Sequence, residues 1–221
     1  MNVAIIAWGA LIWYEGSLKI RSRWHFDGPL LPIEFARIFD DGLLTLVIQE
    51  GNPEVGTYWA LSSLETLDAA IENVCVQEDD PPRESIHCLL SNGEVYRGDG
   101  TNRIVSDTVL RKIGAWLSRK PALDAVVWTG LRPNWEEKRN GRSYSKEDAV
   151  RYLQELKEAA YRDPSNQEAL RRLQGAREYV CKAPSLVQTD VRRRIRDQLG
   201  WRDVNLPAEL FEPKIELERP S

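Results

Sequence analysis

The chain has 221 residues, 42% of them hydrophobic and 29% charged, with a net charge of −4. That length buries a sizeable core as one globular unit, and the mild acidity gives no electrostatic reason to expect a nucleic-acid partner. Three scattered cysteines (Cys75, Cys88 and Cys181) and only two histidines rule out a disulfide framework, a Cys-x-x-Cys metal site and a histidine-rich metal centre.

The opening run Val3-Ala4-Ile5-Ile6-Ala7 is continuously apolar, as in a strand covered on both faces, and Gly9 breaks it inside Trp8-Gly9-Ala10-Leu11. No basic segment precedes this run, and it is too short for a secretory core or a membrane span. The expectation is a cytoplasmic protein with reduced thiols, away from membranes. Consecutive amides in a glycine loop hold an anion or a carboxylate. The plainer alternative is a strand, a turn and a second strand.

Tyr14 to Ser17 reads as a loop, and Leu18 to Phe26 alternates apolar and charged side chains, predicting a strand with one buried face. Asp40-Asp41-Gly42 between two apolar runs, Leu31 to Phe39 and Leu43 to Ile48, predicts a hairpin. Thr57 to Leu61 is a short aromatic strand. Ser62-Ser63-Leu64-Glu65 has the form of a capping box, so a helix is expected to begin there, pack Leu64, Leu67, Ala70, Ile71, Val74 and Cys75 inward, and end before Gln77-Glu78-Asp79-Asp80-Pro81-Pro82.

A second hairpin is predicted around Ser91-Asn92-Gly93, a helix capped by Ser106 and ended near Pro121, and a last strand at Ala125 to Thr129. Leu131 to Tyr144 reads as a polar loop. Ser145 then opens a helix, Pro164 a second, and Thr189-Asp190 a third. Arg192-Arg193-Arg194 and Arg196 on the third read as a solvated face. From Trp201 the tail is rich in proline and charge.

Strands crowd the first 130 or so residues and helices the last third, which favours α+β over alternating βαβ units. The expected architecture is a curved, mostly antiparallel sheet or small barrel with helices outside. The division is a first part over 1–144 and a helical C-terminal extension over 145–221, packed on it.

Among residues able to do chemistry, Glu34 and Arg37 lie in one apolar strand, three apart and so on opposite faces. Each needs a partner or a cavity. Trp8, Trp13, Trp24 and Trp59 either wall a pocket or fill the core. There is no Ser/His/Asp set, phosphate loop or HExxH helix. What remains is a carboxylate near a glycine loop, Glu72 or Glu78, which at the rim of an apolar pocket has a raised pKa and suits general-base work.

These residues are similar to the γ-glutamylcyclotransferase-like family. Ala7-Trp8-Gly9-Ala10-Leu11 resembles the loop with which that family opens, and Tyr58-Trp59-Ala60-Leu61 followed by Leu67-Asp68 resembles the strand and helix leading to its catalytic glutamate. The similarity covers about the first 100 residues. It implies a mixed barrel whose loop (Trp8, Gly9, Ala10, Leu11) binds substrate together with Glu34. A glutamate shuttles the proton, Glu78 first and Glu72 second. The reaction implied releases 5-oxoproline and an amine from a small γ-glutamyl amide, with no cofactor and no metal.

Trp8 and Ala10 stand where the family usually has tyrosine and serine, and Asp79 where glycine is usual. The alternative kept open is a non-catalytic protein of the same fold that binds a small ligand or a protein. Whether the chain forms a homo-oligomer is also left open.

Overall fold

A computed structural model of the chain describes residues 1–14, 16–78, 85–96 and 106–212. Seven strands and six helices occur in the order β1 (Val3–Ala7), β2 (Ile33–Ile38), β3 (Leu44–Ile48), β4 (Tyr58–Leu61), α1 (Leu67–Gln77), β5 (Ile86–Leu90), β6 (Val95–Tyr96), α2 (Asp107–Leu117), β7 (Ala125–Thr129), α3 (Trp135–Lys138), α4 (Lys146–Arg162), α5 (Gln167–Lys182) and α6 (Asp190–Leu199). The fold is α+β, as expected.

One sheet has the strand order β4-β1-β7-β5-β6, and β2-β3 form a separate two-stranded ribbon. Among the paired strands of the described residues only β1 and β7 run parallel; the other strand pairs are antiparallel. The continuous apolar sequences of β1 and β7 are explained by their central place, where every residue of both strands is buried. Among the described residues no ladder closes the sheet into a barrel. A single isolated pairing joins Leu31, just before β2, to Val55, just before β4.

The hairpin β2-β3 forms where predicted. Gly42 takes the left-handed conformation that the turn requires (φ 88°), and its N–H donates to the Phe39 carbonyl at 2.9 Å. The pairing slips between Phe35 and Arg37, so Ala36 is an extra residue and the simple alternation expected of Glu34 and Arg37 does not carry through.

The predicted strand from Leu18 to Phe26 is corrected to an irregular edge along β4. Isolated pairings join Ile20 to Ser62 and His25 to Trp59. Between them the Ser22 hydroxyl, not a backbone carbonyl, accepts the Leu61 N–H at 2.8 Å. Side-chain substitution at that rung breaks the ladder while the inward-outward alternation survives.

Helix α1 begins four residues beyond the capping-box position. Thr66 is its cap, accepting the Ala69 N–H at 3.3 Å, while the buried Ser62 accepts from Leu64 N–H at 3.1 Å in a tight turn. Likewise α5 begins at Gln167 with Asn166 as its cap, and Pro164 lies before the helix, not in its first turn. The polar loop after β7 contains the short helix α3, whose Trp135 is buried.

The last third packs on the ribbon, α5 against β3 and α6 against β2, with α4 touching both α5 and α6. The Tyr152 hydroxyl of α4 donates to the Gly42 carbonyl at 2.5 Å and so fixes the hairpin tip. Arg192 is not on a solvated face. It is 2% exposed and donates to the carbonyls of Pro184 (2.8 Å), Val187 (2.9 Å) and Ala183, with Asp203 as its ion partner at 3.1 Å. Arg193 and Arg194 pair with Asp190 and Glu147 at the surface. No helix among the described residues is long and apolar enough to cross a membrane.

Candidate functional site

Because β1 and β7 are parallel neighbours, with Ile6 opposite Trp128, the chain leaves both at the same edge of the sheet. Open α/β sheets present ligand sites at such carboxyl ends. Here β1 leads through Trp8 and Gly9 into a 3-10 turn at Ala10–Ile12, and β7 ends at Thr129. A cavity of about 560 Å³ lies between this edge, β3 and α5. Trp8, Gly9, Ala10 and Leu11 all line it, and so does Glu78.

Glu78 is the C-cap of α1, where its backbone N–H donates to the Val74 and Cys75 carbonyls. That fixes the start of its side chain. The carboxylate accepts the Thr129 hydroxyl at 3.0 Å. Loss of hydration raises its pKa above the usual carboxylate range. The Thr129 hydrogen bond and the charge of Arg37 pull the other way without prevailing.

Tyr179 of α5 closes the opposite side. Its hydroxyl oxygen accepts a long hydrogen bond from Leu46 N–H at 3.5 Å. A Cβ on Gly9 would stand 2.6 Å from that oxygen, so glycine is required here by close approach and not by its own dihedral angles. Burial, and then the charge of Glu78, push the Tyr179 phenol up. The ring meets Trp13 edge-on at 5.4 Å. The Trp8 indole donates to the Leu46 carbonyl at 3.2 Å, tying the loop to β3.

The remaining sequence-derived candidates fall elsewhere. Glu72 is exposed on α1 and does not line the cavity. Glu34 also does not line it. One carboxylate oxygen accepts Phe35 N–H at 2.9 Å and the other Val191 N–H at 3.4 Å, so it braces the start of α6. Its pKa is raised by burial, against hydrogen bonds from Thr189 and those two amides. Trp24 and Trp59 are core, whereas Trp8 and Trp13 wall the cavity.

Arg37 donates to the Arg132 carbonyl at 2.7 Å and stands over the Phe39 ring at 5.3 Å. Asp79 and the following Asp80, Pro81 and Pro82 lie outside the described residues, as do Glu15 and the end of the tail. Among the described residues no cluster of His, Cys, Asp or Glu is placed to hold a metal ion.

Sequence reasoning missed Thr129 and Tyr179 as members of this cavity. Thr129 read only as the end of a strand. Tyr179 falls on the apolar stripe of a helix far down the chain, a pattern that marks burial and says nothing about which neighbour is met.

Comparison with protein-family models, curated proteins and solved structures gives no significant match to the chain.

Proposed function

We propose that the cavity binds a small γ-glutamyl amide and that Glu78 is the general acid–base of its cyclisation. The observation that carries this reading is the meeting of Glu78, desolvated and hydrogen-bonded to Thr129, with the Trp8–Leu11 loop around one cavity of about 560 Å³. Such a volume suits a small molecule. In the reaction the substrate's α-amine nitrogen attacks its γ-carbonyl carbon and forms the ring C–N bond. The γ-amide C–N bond breaks, and Glu78 passes the proton from the attacking nitrogen to the departing amine.

A raised pKa suits both halves of that task, since the group must accept and return a proton near neutral pH. The resemblance of Ala7–Leu11 and of the Tyr58–Asp68 stretch to the γ-glutamylcyclotransferase-like family supports the same reading, and with it the family's mixed barrel, of which the β4-β1-β7-β5-β6 sheet and the β2-β3 ribbon would be the two parts. Reduced, buried cysteines agree with a cytoplasmic setting.

Incubation of the purified protein with a panel of γ-glutamyl amines tests the proposal. Release of 5-oxoproline from at least one is expected, and no product from any would overturn it. A second reading, ligand binding without turnover, is favoured by one observation: Ala10, which lines the cavity, stands where the resembled family usually has a serine, so a hydroxyl that could bind substrate is missing. Saturable binding of γ-glutamyl amines without product would select it.

A further inference from the structure

We infer that the hydroxyl of Tyr179 is a second functional group of this cavity, donating a hydrogen bond to the γ-carbonyl oxygen of the substrate while Glu78 carries the proton. The inference rests on the site proposed above and adds to it a residue of the helical last third, far from the stretch that resembles the γ-glutamylcyclotransferase-like family.

A tyrosine hydroxyl has one proton to donate and lone pairs to accept with. At Tyr144 and Tyr152 the proton is used, on the carbonyls of Phe35 at 3.2 Å and Gly42 at 2.5 Å. At Tyr179 only the accepting side is used, by the long bond from Leu46 N–H at 3.5 Å, and no acceptor for its proton is found among the described residues. Tyr179 lines the cavity, so an oxygen of a bound molecule can take that proton.

The hydroxyl is held in place. Its oxygen stands 2.6 Å from where a Cβ on Gly9 would be, so it reaches into the turn after β1. The ring meets Trp13 edge-on at 5.4 Å and Phe35 at 6.2 Å. Glu78 lines the same cavity, and its charge adds to burial in pushing the Tyr179 phenol up. Such a phenol keeps its proton at neutral pH and serves as a donor, not as a base.

The proposed cyclisation needs a donor of this kind. As the α-amine nitrogen bonds to the γ-carbonyl carbon, the carbonyl π pair moves onto oxygen, and the tetrahedral intermediate carries negative charge there. An O–H already fixed beside that oxygen stabilises the charge without reorganising. Tyr179 keeps its proton throughout. Glu78 takes the proton of the attacking nitrogen and gives it to the departing one, and the pair on oxygen returns to carbon as the γ-amide C–N bond breaks.

Methionine sulfoxide and methionine test the contact. Both carry the α-amine and α-carboxylate of a γ-glutamyl group and no net charge, and only the sulfoxide has an acceptor oxygen where the γ-carbonyl has its own. Each is titrated calorimetrically into the full natural chain and into Tyr179→Phe, whose folding is checked by thermal melting. The natural protein should bind the sulfoxide about tenfold tighter than methionine, and Tyr179→Phe should bind the two alike. In turnover Tyr179→Phe should lower kcat for 5-oxoproline release by about 100-fold. A sulfoxide preference of the same size in both proteins overturns the inference, as does the absence of sulfoxide binding by the natural protein. A loss of activity in Tyr179→Phe without that coupling is structural and overturns it too.

Failure of the catalytic reading shows separately. Sulfoxide binding that depends on the Tyr179 hydroxyl, with no 5-oxoproline from any γ-glutamyl amine, keeps the contact and removes the chemistry. Release of 5-oxoproline with an undiminished kcat in Tyr179→Phe keeps the chemistry and removes Tyr179 from it.

Discussion

The hydroxyl of Tyr179 occupies the space where a side chain on Gly9 would begin, 2.6 Å from an ideal Cβ, so the loop after β1 and the helix α5 fit only because residue 9 has none. The helical last third is thereby part of the cavity wall. Gly9→Ala should destabilise the fold by about 1–3 kcal/mol through overpacking. Tyr179→Phe moves the nearest ring atom back to an ordinary contact of 3.7 Å, so the double variant should recover much of that loss. Urea denaturation of the four proteins of this cycle measures the coupling, and strictly additive effects would deny the contact.

Glu78 carries a pH dependence whose sign follows from its environment. Its native pKa is raised above the ordinary 4.5, so the native state binds the proton more tightly than the unfolded chain does. Its contribution is fully present below the unfolded value and is lost as pH rises through the native one. Glu78→Gln stays neutral throughout. Its stability relative to the natural protein should therefore climb with pH from about 4.5 and level off above the native pKa. Thermal melts of both proteins from pH 4 to 8 check this; parallel curves would contradict it.

Thr129 tunes the same carboxylate. Its hydroxyl stabilises the ionised form, so Thr129→Val should raise the Glu78 pKa further. In the proposed reaction the acidic limb of the kcat/KM profile then moves to higher pH. An unmoved limb would separate Thr129 from the proton-carrying group.

Glu34 behaves differently because both its oxygens are spent on the backbone. Glu34→Ala leaves the buried Phe35 and Val191 N–H groups without their acceptor and should cost about 1–3 kcal/mol of stability. Ligand affinity of the folded protein should not change. A large loss of affinity with normal stability would return Glu34 to the binding site.

Arg192→Ala removes the common partner of three carbonyls and Asp203, and should cost about 3–5 kcal/mol in denaturant unfolding. The equivalent change at Arg193, which is exposed, should be nearly silent.

What the sequence made legible was set by local pattern. β1, β7, the β2-β3 hairpin and the helices from Ser145 onward follow from runs, turns and periodicity that neighbouring residues impose on one another. The Trp8–Leu11 loop and Glu78, which line one cavity, were legible as features worth singling out, because a glycine that breaks a buried strand and an acid at a helix end are local signals. Their partners were not. Thr129 and Tyr179 reach the cavity through the parallel β1-β7 pairing and the docking of α5 on β3, contacts between residues more than 100 apart, which no window of sequence contains. Arg192 misled for the same reason: three carbonyls supplied by the chain at 183–187 turn a surface pattern into a buried anchor.

The most direct test compares 5-oxoproline release from γ-glutamyl amines by the natural protein, Glu78→Gln and Glu72→Gln. Removing a general acid–base group costs about 10²- to 10⁴-fold. The natural protein and Glu72→Gln should turn over alike, and Glu78→Gln should lose activity by at least about 100-fold while remaining folded. Full activity in Glu78→Gln, or a loss confined to Glu72→Gln, would contradict the account.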